Sequence, residues 1–186
     1  MYIKNNQDGI MNVLITGPPG VGKTTLLNEI KNKIRDQGYS VGGMYCPEIR
    51  EEDRRTGFNI IDIASRRKGI LASTQNTEGP AVGKYKVNLD DIRDVGVLAL
   101  KNALETSDYI LIDEIAPMEL ASSSFSQTVW EVMESQKPVI AVIHQRSNHP
   151  FILKVKSRED VQIFNLNQEN QDCLLKKILE LLGINN

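Results

Sequence analysis

Short apolar runs recur along the chain, and between them apolar residues return every three or four positions. Val13-Leu14-Ile15, Ile110-Leu111-Ile112 and Val139-Ile140-Ala141-Val142-Ile143 are continuous runs, the pattern of strands buried on both faces. The first predicts a strand over 12–16. The helical rhythm follows at once: Leu26, Leu27, Ile30 and Ile34 form one stripe, predicting a helix over 23–36 with Gly38 as its terminator. Residues 41–45 read as a short strand. A helix over 90–105 carries Asp90 and Asp91 in its first turn, where the positive helix end favours acids. Residues 109–112 form a buried strand ending in Asp113-Glu114. A helix over 122–134 opens on Ser122 and buries Phe125, Val129, Val132 and Met133. Strands over 139–143 and 161–164 and a helix over 169–182, with Leu174, Leu175, Ile178 and Leu182, complete the order. Such alternation predicts a three-layer α/β fold with a mostly parallel sheet.

The middle of the chain departs from this rhythm. Residues 46–56 are polar, mixing Arg50, Arg54 and Arg55 with Glu48, Glu51, Glu52 and Asp53. Phe58, Ile60, Ile61 and Ile63 then suggest a strand, and 70–72 and 85–87 weaker ones, around a Ser/Thr/Asn/Gly-rich loop at 73–83. Together they predict an antiparallel insertion attached to the parallel core. Residues 1–10 read either as a disordered tail or as an upstream misassigned start, and 11–186 as a single domain.

Composition changes this picture little. The 186 residues are 40% hydrophobic and 25% charged, which suits an ordinary globular chain with a sizeable core. A net charge of −2 offers no general attraction to nucleic acid or anionic membrane. The N-terminus lacks the apolar segment of a signal peptide, and no apolar run approaches the ~20 residues of a membrane span. Cys46 and Cys173 have no metal or redox spacing and are expected to be free, buried or half-buried thiols. A cytoplasmic location is the expectation.

The chemistry begins at Gly17-Pro18-Pro19-Gly20-Val21-Gly22-Lys23-Thr24, a complete G-x-x-x-x-G-K-[ST] phosphate loop between a predicted strand and a predicted helix. Its glycines let backbone N–H groups converge on phosphate oxygens. Lys23 reaches the terminal phosphates, the Thr24 hydroxyl is placed to hold Mg²⁺, and Thr25 follows in the same first helical turn. Nucleotide contacts are therefore expected from Gly17 through Thr25. Asp113, delivered by a buried strand, is the expected second holder of Mg²⁺. Its neighbour Glu114 is the expected water-polarising carboxylate, so Lys23 and Glu114 are the expected catalytic pair. Phosphoryl transfer also calls for positive charge on the γ-phosphate. The segment with Arg50, Arg54 and Arg55 could supply it, as could Lys156 and Arg158, but each is equally well read as a solvated, ion-paired side chain; the preference for Arg50 and Arg55 is one that the family resemblance given below implies. His144 ends an apolar strand, where it could sense the γ-phosphate or serve only structure, and His149 reads as structural. No Asn-Lys-x-Asp guanine motif occurs. Residues 167–172 could contact a base or cap the last helix.

These residues carry a resemblance. The chain resembles the small nucleoside-triphosphatases first described from hyperthermophiles and called cancer-related nucleoside-triphosphatase in vertebrates, from about Met11 to Leu182. The stretches are GPPGVGKTTL (17–26), PEIREEDRRTGF (47–58), VGKYKV (82–87), IDEIAPMEL (112–120), KSREDV (156–161) and NQDCL (170–174). The arginine-rich segment and the DEI-x-x-MEL stretch are the specific ones. The resemblance implies a RecA-like P-loop fold and hydrolysis of ATP, GTP and other nucleoside triphosphates to diphosphate and phosphate, with Mg²⁺ and loose base preference. It carries over Gly17 through Thr24 as the nucleotide loop and Asp113 and Glu114 as the metal and water acids. Ala116 stands where the family usually has Gly, and Gln171 where it usually has Arg; these bear on rate and base preference. A nucleoside or nucleotide kinase, or a nucleotide-dependent regulatory or nucleic-acid-associated ATPase, are the alternatives. No basic stripe or stacking motif supports nucleic-acid binding.

Overall fold

A computed structural model describes residues 12–184. The proposed tail at 1–10 lies outside the described residues. Strand β1 (Asn12–Thr16) runs into helix α1 (Lys23–Asp36) and then β2 (Val41–Tyr45). Four strands and a short one follow: β3 (Glu48–Glu51), β4 (Arg54–Asp62), β5 (Lys68–Ser73), β6 (Ala81–Val82) and β7 (Tyr85–Val87). The chain then returns through α2 (Leu89–Asp91), a π-helical turn (Ile92–Val97), α3 (Leu98–Thr106), β8 (Tyr109–Ile115), α4 (Ser123–Glu134), β9 (Val139–Ile143), α5 (Pro150–Lys156), β10 (Val161–Asn165) and α6 (Gln171–Leu181).

All strands join one sheet in the order β10-β1-β9-β8-β2-β4-β5-β7-β6, with β3 on β4. The five strands from β10 to β2 are parallel. The rest are antiparallel, entering through Met44 opposite Asp62. The expected parallel core with an antiparallel insertion is what forms. Each central strand feeds two cores, because successive side chains alternate between faces. Val13 and Ile15 pack with Leu26, Ile30, Ile34, Leu174 and Ile178 of α1 and α6. Leu14, Ile110, Ile112 and Ala141 pack on the other side with Leu100, Phe125, Val129, Ile152 and Val155. This gives the three layers. Every parallel strand ends at the same edge, so the loops after β1, β2, β8, β9 and β10 gather there.

Several boundaries differ from the sequence expectation, each for a local reason. Residues 48–51 are a strand, and β4 begins at Arg54 inside the segment read as polar. Glu52 and Asp53 both take positive φ, 46° and 62°, the geometry of a tight hairpin turn. The hairpin is exposed around its turn, with only Ile49 of β3 half-buried, so no apolar alternation announced it. β8 continues through Asp113, which pairs with Tyr45 of β2, and Glu114 to Ile115, which pairs with Ile143 of β9, and its register with β9 shifts between Ile112 and Ile115. The helix over 90–105 starts one residue early, where Asn88 Oδ1 accepts the N–H groups of Asp90 and Asp91, and contains the π turn. Helix α5 was not anticipated, although Pro150 at its first position is a recognised start signal; His149 caps it by accepting from Phe151 N–H. β6 was also missed, and the last helix is shorter than expected. Cys46 is half-buried as expected, whereas Cys173 is exposed. Among the described residues, no helix is long and apolar enough to cross a membrane.

Candidate active site

The phosphate loop takes the shape its glycines permit. Gly20 and Gly22 have φ of 75° and 103°, conformations costly for other residues. Gly22 caps α1 without a side-chain bond, and no acid occupies the first turn. The N–H groups of that turn and the positive helix end thus face the loop. Gly17 is buried against β10's extension: a Cβ there would lie 2.6 Å from the Leu166 carbonyl oxygen. Lys23 Nζ donates to the Gly17 and Pro18 carbonyls at 3.0 and 3.1 Å, which holds the ammonium across the loop. Pro18, Pro19, Gly20 and Val21 form one wall of a cleft of about 560 Å³, and Asn167, Gln168 and Glu169 form the other. Thr25 is exposed on the first turn of α1. The 167–170 turn is held by its own side chains: Asn170 Oδ1 accepts from Asn167 N–H, and Asn170 Nδ2 donates to the Asn165 carbonyl.

The acid strand meets the loop directly. Thr24 Oγ1 donates to Asp113 Oδ2 at 2.7 Å. The buried Asp113 carboxyl is pushed up to about 6: burial raises it most, Glu114 adds to this, and Thr24 and Lys23 oppose it. Glu114 is half-buried and also raised, by burial against the opposing pull of Lys23. A carboxylate whose proton affinity is lifted in this way is better suited to take a proton from water. The Thr24 hydroxyl and Asp113 carboxylate are hard oxygens in contact, a fit for Mg²⁺ held by few protein groups together with substrate phosphates.

Two neighbours, Glu119 and Cys46, join the site without a sequence-predicted role in it. Glu119 is 2% exposed, and its Oε2 has no hydrogen-bond partner among the described residues. Burial and the nearby Glu114 push it well above the usual carboxylate range. Cys46, following β2, lies against the same acids; burial first, then Glu119, Asp113 and Glu114, push its thiol up. The signal for Glu119 was its place between Met118 and Leu120, an acid inside a packed segment. Ala116 is buried after the acids. Gln171 does not line the cleft: its amide donates to Glu29 of α1, and its Oε1 lies beside Gly22.

The basic candidates separate. Arg50 and Arg55 sit on the β3–β4 hairpin, which extends from the end of β2 at the site's edge of the sheet. Both are paired with Glu48, at 2.8 and 2.7 Å, and Arg55 also donates to the Tyr85 hydroxyl. Arg158 is a correction. It precedes β10 at the opposite edge of the parallel strands, bound to Asp160 at 2.7 Å and to the Met133 carbonyl, with its guanidinium over Trp130. It serves packing there and is not brought to the phosphate loop. Lys156 donates to the His144 and Gln145 carbonyls. His149 is structural, as the cap of α5.

Comparison with known proteins agrees with this geometry. Residues 12–179 match the protein family described as NTPase. The chain is 42% identical over 173 residues to the nucleoside-triphosphatase THEP1 of Methanothermobacter thermautotrophicus, covering 93% of this chain and 97% of that protein. It is 44% identical over 175 residues to the protein of the same name from Thermotoga maritima, covering 94% and 97%. The crystal structure of THEP1 from the hyperthermophile Aquifex aeolicus superposes with a TM-score of 0.81 at 34% identity, over 92% of this chain and 99% of that one. The solution structure of a human cancer-related nucleoside triphosphatase does so with 0.78 at 31%, over 94% and 98%. With the phosphate loop, the acid strand and the sheet order already in place, the match over most of its length makes this chain a member of the NTPase family.

Proposed function

We propose that this NTPase hydrolyses ATP, GTP and other nucleoside triphosphates to diphosphate and phosphate, with Mg²⁺ as cofactor. The observation that carries the reading is the Thr24–Asp113 hydrogen bond, which joins the phosphate loop to the acid strand and sets Glu114 beside them. Thr24 and Asp113 would hold Mg²⁺, which supplies charge neutralisation to the phosphates. The loop N–H groups and Lys23 bind and orient the phosphate chain. Glu114 orients a water at the γ-phosphate and accepts its proton. Arg50 or Arg55 would leave Glu48 to contact the phosphates. The polar amide wall at Asn167 and Gln168, in a chain without a guanine motif, supports loose base preference. Two free cysteines support a cytoplasmic setting.

The test is phosphate release from ATP, GTP, CTP and UTP with Mg²⁺ and no acceptor. Release from all four, at comparable rates, is expected. Phosphate that appears only on an added nucleoside or nucleotide would instead identify a kinase.

A further inference from the structure

Four arginines carry a guanidinium with no hydrogen bond or ion pair among the described residues: Arg54, Arg66, Arg67 and Arg146. Sheet order tells them apart. Arg54 stands at the turn of the β3–β4 hairpin, opposite Glu51, and β2 separates β4 from the acid strand. Arg66 and Arg67 lie in the turn from β4 to β5. Because β4 runs antiparallel to β2, that turn falls toward the edge away from the phosphate loop. Arg146 lies in the connection from β9 to α5 and is exposed. β9 sits between β1, which feeds the phosphate loop, and β8, which carries the two acids. The loop after β9 therefore emerges at the site's edge of the sheet, between the phosphate loop and Glu114. It is braced on both sides of Arg146. The His144 N–H donates to the Ile115 carbonyl at 3.2 Å, and Lys156 donates to the His144 and Gln145 carbonyls at 2.8 and 2.9 Å. Beyond Arg146, the Ser147 hydroxyl accepts from the His149 N–H at 3.2 Å, and His149 caps α5. Arg50 and Arg55 must leave Glu48 before they can serve a phosphate, whereas Arg146 has no contact to break. Charge balance calls for such a group. Asp113, Glu114 and the buried Glu119 lie near one another, with the Lys23 ammonium as the cation placed among them, and a triphosphate adds further negative charge.

We propose that Arg146 is a further catalytic residue of this site, turning its guanidinium into the cleft and donating to the oxygens of the γ-phosphoryl group in the transition state. The inference rests on the NTPase reading above. The planar fork of a guanidinium can meet two phosphoryl oxygens at once, which an ammonium cannot. Arg146 exchanges no atoms in the step. The bond from water oxygen to phosphorus forms, the bridge to the diphosphate breaks, and Glu114 takes the water's proton. Arg146 stabilises the charge that spreads over the group in transit. Lys156, by clasping the two carbonyls ahead of it, acts as a positioning residue for the loop.

The experiment compares Arg146→Ala, Arg146→Lys and Arg67→Ala with the wild type, all with Mg²⁺. It reads phosphate release, thermal melting, and affinity for the diphosphate alone and with aluminium fluoride, which mimics the phosphoryl group in transit. Arg146→Ala is expected to lower kcat and kcat/KM together by roughly 10²–10³-fold, the cost of one lost donor to developing charge. It binds the diphosphate as the wild type does and loses most of the gain from aluminium fluoride. Added guanidinium ion restores part of its kcat. Arg146→Lys, which keeps the charge without the fork, falls between, and Arg67→Ala matches the wild type throughout. A wild-type kcat in Arg146→Ala, a loss confined to KM, or an equal loss in Arg67→Ala would overturn the proposal. Wild-type phosphate release on the same preparation tests the underlying reading separately. If the wild type releases none, the NTPase reading fails and the role of Arg146 falls with it. If the wild type turns over and Arg146→Ala keeps pace, the role of Arg146 alone fails.

Discussion

Lys23 and Glu119 show how differently two charged residues can be written into one site. Lys23 lies in an eight-residue motif with a fixed chemistry, and the structure places its ammonium on the Gly17 and Pro18 carbonyls. Lys23→Ala should abolish turnover and weaken triphosphate binding by roughly 10- to 100-fold, the scale of a lost charge-assisted hydrogen bond. Calorimetric titration and a melting curve check that binding falls while the fold persists. Glu119 lies in the DEI-x-x-MEL stretch, which carries no chemistry that could be assigned to it from sequence; its importance comes from burial that only the assembled layers create. Its proton affinity is raised in the folded state, so the folded protein holds that proton where the unfolded chain has released it. The stability associated with it is therefore full below the ordinary glutamate value near 4.5 and is lost as pH rises through the higher folded value. Glu119→Gln keeps the shape without the charge. It should raise the melting temperature more at pH 8 than at pH 5. An equal change at both values would show that Glu119 carries no titration-linked strain.

At the scale of elements, the β3–β4 hairpin and the acid strand carry the predictions. The hairpin was hidden because it is mostly exposed around its turn and that turn uses Glu52 and Asp53 where Gly or Asn would have announced it. The buried strands and the helices with a continuous apolar stripe were legible, since their patterns are set by packing on known faces. In the hairpin, Arg50→Ala and Arg55→Ala test the transition-state cation. An arginine acting there lowers kcat and kcat/KM together, whereas a ground-state phosphate contact mainly raises KM. An arginine supplying the transition-state charge is expected to cost roughly 10³-fold or more in kcat, and unchanged kcat in both variants would leave the hairpin a solvated ion-pair element. β2 sits against β8 so closely that Gly43, at φ 110°, has no room for a Cβ beside the Leu111 backbone. Gly43→Ala should cost several kcal/mol, from ~1–3 of backbone strain and ~1–3 of overpacking. A denaturant midpoint equal to the wild type would contradict that tight pairing of β2 with β8.

For the whole molecule, the sheet order decides what the site contains. β1, β9 and β8 lie side by side, so the phosphate loop, His144 and the two acids converge although they are far apart in sequence. The three-layer class could be read from alternating strands and helices, and the loop and acids from their motifs. Strand order could not, because it depends on which apolar runs pair across the sheet. The misplacement of Arg158 came from this gap: before the order was known, nothing showed that it lies at the opposite edge, on Trp130 and Asp160. The central claim is that this convergence makes Glu114 the group that activates water. Phosphate release by Glu114→Gln at saturating nucleotide and Mg²⁺ tests it most directly. The expected result is a kcat lower by roughly 10²–10⁴. A variant that releases phosphate as fast as the wild type would contradict the account.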